Sequence, residues 1–114
     1  NRCKLAKSMS FTSRIEQIKI FLNDTPDDPF LIYALATEHT AAKNDDEALA
    51  LYLKLVSKHP NYSATYYHLG KLYERIGEDD KAEETYAKGM EITKANDEKH
   101  AYGELRGAFE ELTF

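Results

Sequence analysis

A single cysteine, Cys3, is all this chain has. A lone thiol closes no internal disulfide and builds no cysteine zinc site. Among polar neighbours near the first residue, Cys3 reads as an exposed thiol without a role. Long apolar runs are also missing. None reaches the length of a signal-peptide core or a membrane span, so the expectation is no membrane partner and a cytoplasmic location. Positive charge is in deficit: 15 Lys and Arg stand against 20 Asp and Glu, a formal net charge of -5. Arg2, Lys4 and Lys7 fall in the first eight residues, which leaves the remainder more acidic still. An acidic chain with no basic face is repelled by phosphate backbones, so nucleic-acid binding is not expected. No glycine-rich phosphate loop, zinc-protease motif or calcium-loop spacing occurs. The four histidines, His39, His59, His68 and His100, have no spacing that pairs them on a helix face and read as packing or surface residues. Neither a catalytic set, a metal site nor a cofactor is expected, and no serine has a visible base.

What is present is a period. Sliding the 114-residue chain by 34 brings Tyr33 onto Tyr67, Leu35 onto Leu69 and Asp45-Asp46 onto Asp79-Asp80. The same shift brings Ala48 onto Ala82, Tyr52 onto Tyr86 and Lys54 onto Lys88. Self-similarity at such a period marks a repeat architecture. Within each unit the apolar residues fall at helical spacing. The first stripe is Ile32, Leu35, Ala36 and His39, matched by Tyr66, Leu69, Gly70 and Tyr73. The second is Ala48, Leu51, Tyr52 and Leu55, matched by Ala82, Thr85, Tyr86 and Gly89. Asp28 and Pro29 form a cap and first turn. Lys43-Asn44-Asp45 and Gly77-Glu78-Asp79 carry stop chemistry. The aspartate pairs that follow suit the positive ends of the second helices, as orphan N–H acceptors and as charges. Ala36 and Gly70 are small where Ala48 and Ala82 of the partner helix approach, and Tyr52 and Tyr86 fill the space between units.

These strings resemble the tetratricopeptide repeat family. Its first helix carries a bulky residue, then Leu-Gly or Leu-Ala, then Tyr; its second carries Ala, an aromatic, a small residue and a closing Pro. Tyr66, Leu69-Gly70, Tyr73, Ala82 and Tyr86 fit this pattern, as do Ile32, Leu35-Ala36, Ala48, Tyr52 and Pro60. His39 stands for the usual tyrosine, Leu55 and Gly89 for a usual alanine, and Lys94 for the closing proline. The resemblance implies an all-α fold, a right-handed α–α superhelix of about six antiparallel helices. Those are expected near residues 13–22, 29–42, 46–58, 63–76, 80–93 and 97–112. The 13–22 segment, with Ile15, Ile18, Phe21 and Leu22, reads as the second helix of a preceding unit, capped by Thr12 or Ser13 with Glu16 completing a capping box. The 97–112 segment has Gly103-Glu104 where Leu-Gly belongs, and reads as a capping helix. Residues 1–10 read as a flexible leader or an appended segment, and residues 11–114 as the repeat domain.

The resemblance implies protein–protein interaction through a concave groove lined by the first helices, and a non-enzyme. The groove positions are Phe30, Tyr33, Thr37, Thr40 and Ala41 in one unit, and Ala64, Tyr67, Lys71, Glu74 and Arg75 in the next. Tyr33 and Tyr67 are of the type enriched at recognition surfaces, and Lys71 and Arg75 are placed to meet acidic groups. Family members that grip the acidic tails of heat-shock chaperones do so with a lysine and asparagine clamp. Tyr33 and Thr37 occupy its leading positions here, so that ligand is not expected. The alternative reading is a weakly self-associating structural module, using Leu112 and Phe114.

Overall fold

The computed structural model describes residues 13–114, and within them the chain is six helices with no strand. They are α1 (Arg14–Asp24), α2 (Pro29–Ala41), α3 (Asp45–Lys58), α4 (Ala64–Arg75), α5 (Asp79–Ala95) and α6 (Lys99–Thr113). They stack as a right-handed α–α solenoid in which α2–α3 and α4–α5 are the two complete hairpins. The expected leader and Cys3 lie outside the described residues.

Local chemistry sets where each helix begins. The Ser13 hydroxyl accepts the Glu16 N–H at 3.1 Å, which caps α1. The Asp28 carboxylate accepts the Phe30 and Leu31 N–H groups at 2.9 and 3.3 Å, and Pro29 supplies the first residue of α2. The second helices begin differently. Asp45-Asp46 and Asp79-Asp80 lie inside the first turns of α3 and α5, and the caps before them, Asn44 and Glu78, make no side-chain cap bond. The aspartate pairs therefore act through charge on the helix dipole and not as hydrogen-bonding caps. Asn44 is used otherwise: its amide donates to His39 Nδ1 at 3.1 Å, which satisfies a buried imidazole.

Two turn types separate the helices. The α2–α3 and α4–α5 turns each contain one left-handed residue, Lys43 at φ 64° and Gly77 at φ 84°. In each, the following N–H reaches back five residues, Asn44 to His39 and Glu78 to Tyr73, both at 2.8 Å. This is the αL stop of a helix C-terminus. The same device recurs between α5 and α6, with Asp97 at φ 58° and the Glu98 N–H on the Thr93 carbonyl at 2.9 Å. There it replaces the proline-bearing turn that ends α3. With Lys94 in the place of Pro60, α5 continues to Ala95 and is 17 residues long against 14 for α3.

The core is a pairwise copy of itself. Ile32 and Tyr66, Leu35 and Leu69, Ala36 and Gly70, and His39 and Tyr73 are all buried; so are Ala48 and Ala82, Tyr52 and Tyr86, and Leu55 and Gly89. The structure assigns the small residues a sharper task than helix approach alone. A Cβ added to Gly70 would sit 2.2 Å from Tyr86 Cε1, so the tyrosine ring of the same hairpin takes the space a side chain at 70 would need. A Cβ at Gly89 would sit 2.6 Å from Tyr66 Cβ and 3.0 Å from Leu105 Cδ1. Leu105 and Ala108 are the buried residues of α6. Every residue 34 positions beyond a buried α4 residue is exposed there, Gly103 and Glu104 included. The apolar face of α6 thus falls two residues later than the period requires.

Candidate functional site

The first helices α2 and α4, together with α6, frame a cleft of about 430 Å³. Tyr33, Tyr67 and His68 form its aromatic wall, Ser63 and Ala64 its edge, and Glu98, Ala101, Glu104 and Leu105 its far side. The 34-residue period places the Tyr33 and Tyr67 side chains on successive turns of the solenoid. The Tyr33 ring centroid lies 5.4 Å from that of His68, edge to face, and 5.7 Å from Tyr62. His68 in turn stands edge-on to Tyr67 at 5.7 Å. Such tilted pairs are the favoured geometry of aromatic rings. They hold the cluster in one arrangement while its rings stay only half-buried.

Electrostatics divide the cleft into neutral and anionic sides. Burial pushes the His68 imidazole below its ordinary pKa, against an opposing pull from Glu104, so it is neutral at physiological pH. Burial also pushes the Tyr33 and Tyr62 phenols up. On the other side Glu98 is held by two donors, the Ser63 hydroxyl at 2.9 Å and the Asn96 amide at 3.0 Å. Glu104 has His100 Nε2 at 3.6 Å on its own helix.

The sequence-derived groove residues separate into two groups. Tyr33 and Tyr67 line the cleft and Lys71 stands just outside it, with Nζ 5.6 Å from the Tyr67 ring centre and 3.9 Å from Glu74. Thr40, Glu74 and Arg75 lie further along the helices, in ties between them. The Thr40 hydroxyl donates to the Ala36 carbonyl at 2.8 Å and lies 3.1 Å from Tyr52 Oη. One repeat on, Glu74 accepts the Tyr86 hydroxyl. Arg75 donates to the Thr40 carbonyl at 3.2 Å and pairs with Asp45, strapping the second hairpin to the first. The Thr37 hydroxyl bonds the Ala34 carbonyl at 2.9 Å. Phe30 is 62% exposed and makes no contact in the aromatic cluster. Tyr62, His68, Glu98 and Glu104 escaped the sequence reading. Position 68 is read there as packing or surface; Glu98 keeps the groove place of Ala64 one repeat back, and Glu104 faces the cleft because α6 is out of register. No group of three or more metal-ligating side chains occurs among the described residues, and no described helix is long and apolar enough to cross a membrane.

The tetratricopeptide repeat family model matches residues 31–95. The solution structure of a tetratricopeptide repeat domain protein from Salinibacter ruber shares 45% identity at a TM-score of 0.74, over 77% of this chain and 89% of that one. A solution structure of a Bordetella parapertussis protein superposes with a TM-score of 0.78 over 90% of this chain and 89% of that one, at 20% identity, and so speaks to the fold alone. The crystal structure of MamA does the same at 24% identity and a TM-score of 0.66, over 86% of this chain and 64% of MamA. No curated protein matches the chain.

Proposed function

Because the chain belongs to the tetratricopeptide repeat family, a fold that generally mediates protein–protein interaction on non-catalytic scaffolds, we propose that it is an adapter that binds an extended segment of a partner protein along the concave surface of α2, α4 and α6. One observation carries this reading: a 430 Å³ cleft walled by aromatic rings set one repeat apart and left half-exposed. Rings held by their neighbours lose little entropy on binding and offer large contact area. The groove of this proposal centres on Tyr33, Tyr67 and Lys71, with Phe30 and Thr37 as its approach. Thr40, Glu74 and Arg75 hold the helices that carry it.

The test is affinity capture from the native cell with wild type and a Tyr33→Ala plus Tyr67→Ala variant, its fold checked by far-ultraviolet circular dichroism. Loss of one or more specific partners is expected. A folded variant that retains every partner removes the groove from consideration. Self-association is the second reading, favoured by Phe114 at 97% exposure and by Ile20 and Phe21 at 61% each. Light scattering that finds a strict monomer at high micromolar concentration eliminates it.

A further inference from the structure

We propose that the cleft recognises a basic side chain, arginine or lysine, on the partner segment; the inference rests on the groove reading above and specifies its ligand. Charge complementarity comes first. Two carboxylates, Glu98 and Glu104, line the cleft, and no lysine or arginine does. An acidic segment would bring like charges together at these two carboxylates, which is unfavourable. The second argument is the wall opposite. Tyr33 and Tyr67 both line it, each standing edge to face with His68 at 5.4 and 5.7 Å. The negative face of a tyrosine ring attracts a cation, and guanidinium in particular stacks on it. Burial holds the His68 imidazole toward its neutral form, so among the described residues the one cation beside that wall is Lys71, which stands at the Tyr67 ring with Glu74 as its counter-charge.

The molecule also displays the interaction with a cation of its own. Lys71 Nζ stands 5.6 Å from the Tyr67 ring centre, just outside the cleft. The Tyr67 π-system is therefore already a cation acceptor in this fold. Arg75, the next cation along α4, is engaged by Asp45 and the Thr40 carbonyl and lies away from the cleft. A cation between the aromatic wall and Glu104 would meet aromatic rings on one side and a carboxylate on the other. That arrangement suits a charged head and rejects a neutral amide of the same shape.

The experiment compares three short peptides on the isotopically labelled chain, followed by nuclear magnetic resonance titration: acetyl-Gly-Arg-Gly-Arg-Gly-amide, the same peptide with citrulline for arginine, and the same with glutamate. Citrulline keeps the shape of arginine and loses the charge. The arginine peptide is expected to shift the Tyr33, Tyr67 and His68 signals and to bind about tenfold more tightly than its citrulline counterpart. Glu104→Gln, with an unchanged melting temperature, is expected to weaken it by about threefold. Equal binding of the arginine and citrulline peptides at those residues, or preference for glutamate, overturns the cation inference and leaves the groove reading standing. Shifts confined to residues outside the cleft, or none, also overturn it. The capture experiment with Tyr33→Ala plus Tyr67→Ala then decides the groove reading independently.

Discussion

The two complete hairpins solve the same packing problem with different chemistry. In each, a tyrosine of the second helix lies fully buried and needs a partner for its hydroxyl. The first hairpin uses a neutral one: Tyr52 Oη is 3.1 Å from the Thr40 hydroxyl, which itself donates a hydrogen bond to the Ala36 carbonyl. The second uses a charged one, Glu74, exactly one repeat on from Thr40 in sequence. The residue beneath the ring changes too, from Ala36 to Gly70. Identical backbone positions thus tolerate different side chains only in matched sets. A period in sequence conserves the place, and the neighbours decide the residue.

The comparison breaks most visibly at Gly70. Gly70→Ala copies the first hairpin into the second, yet its Cβ would land 2.2 Å from Tyr86 Cε1. Overpacking of this kind typically costs about 1–3 kcal/mol, more than the ~1 kcal/mol that alanine gains as a helix former. The expected outcome is net destabilisation in urea unfolding; a gain in stability would show that the two hairpins are interchangeable there.

Removing the hydroxyls sharpens the contrast. Tyr86→Phe should cost about 1.5 kcal/mol and Tyr52→Phe about 1 kcal/mol, since hydrogen bonds to charged groups are the stronger. Both phenols are pushed up chiefly by burial; the Glu74 carboxylate raises Tyr86 further, whereas the Thr40 hydroxyl pulls Tyr52 down. A phenol whose folded pKa exceeds its unfolded value near 10 contributes stability that is complete below that value and lost as pH rises beyond it. Wild type should therefore lose stability more steeply above pH 10 than Tyr86→Phe, as read by denaturant midpoints across pH. Parallel profiles would show that folding does not raise the Tyr86 phenol.

The smallest expected effect lies in the turns. Lys43 holds φ 64° where its counterpart Gly77 holds φ 84°. Lys43→Gly should stabilise by about 0.5–1 kcal/mol, because glycine adopts this region without the Cβ penalty. A destabilised variant would mean that the lysine side chain contributes something the backbone geometry hides.

Much of this was legible before any coordinates. The 34-residue match of Tyr33 with Tyr67 and Leu35 with Leu69 gave both hairpins, because helix stripes and turn residues repeat where burial repeats. The capping of Asp28 and Ser13 was equally readable, since those bonds are local. Less accessible was which polar groove residues are already engaged. Thr40 and Arg75 meet Tyr52 and Asp45 across helices, and no spacing along one helix reveals that. His68 was invisible for a similar reason: its neighbours are one repeat away on Tyr33 and one residue away on Tyr67. Glu104 could be found only by abandoning the period at Lys94, whereas Glu98 holds the place of Ala64 one repeat on.

That departure has a consequence for how such a surface changes. Each residue advances a helix by about 100°, so a two-residue slip swings α6 through roughly half a revolution. The side chain that strict periodicity would have sunk beside a tyrosine ring, Glu104, comes round to the open side. The register at which a connection delivers the next helix thereby sets which half of that helix is offered to a visitor. Lengthening or trimming junctions between units is a route by which a solenoid acquires a new binding preference in a single step.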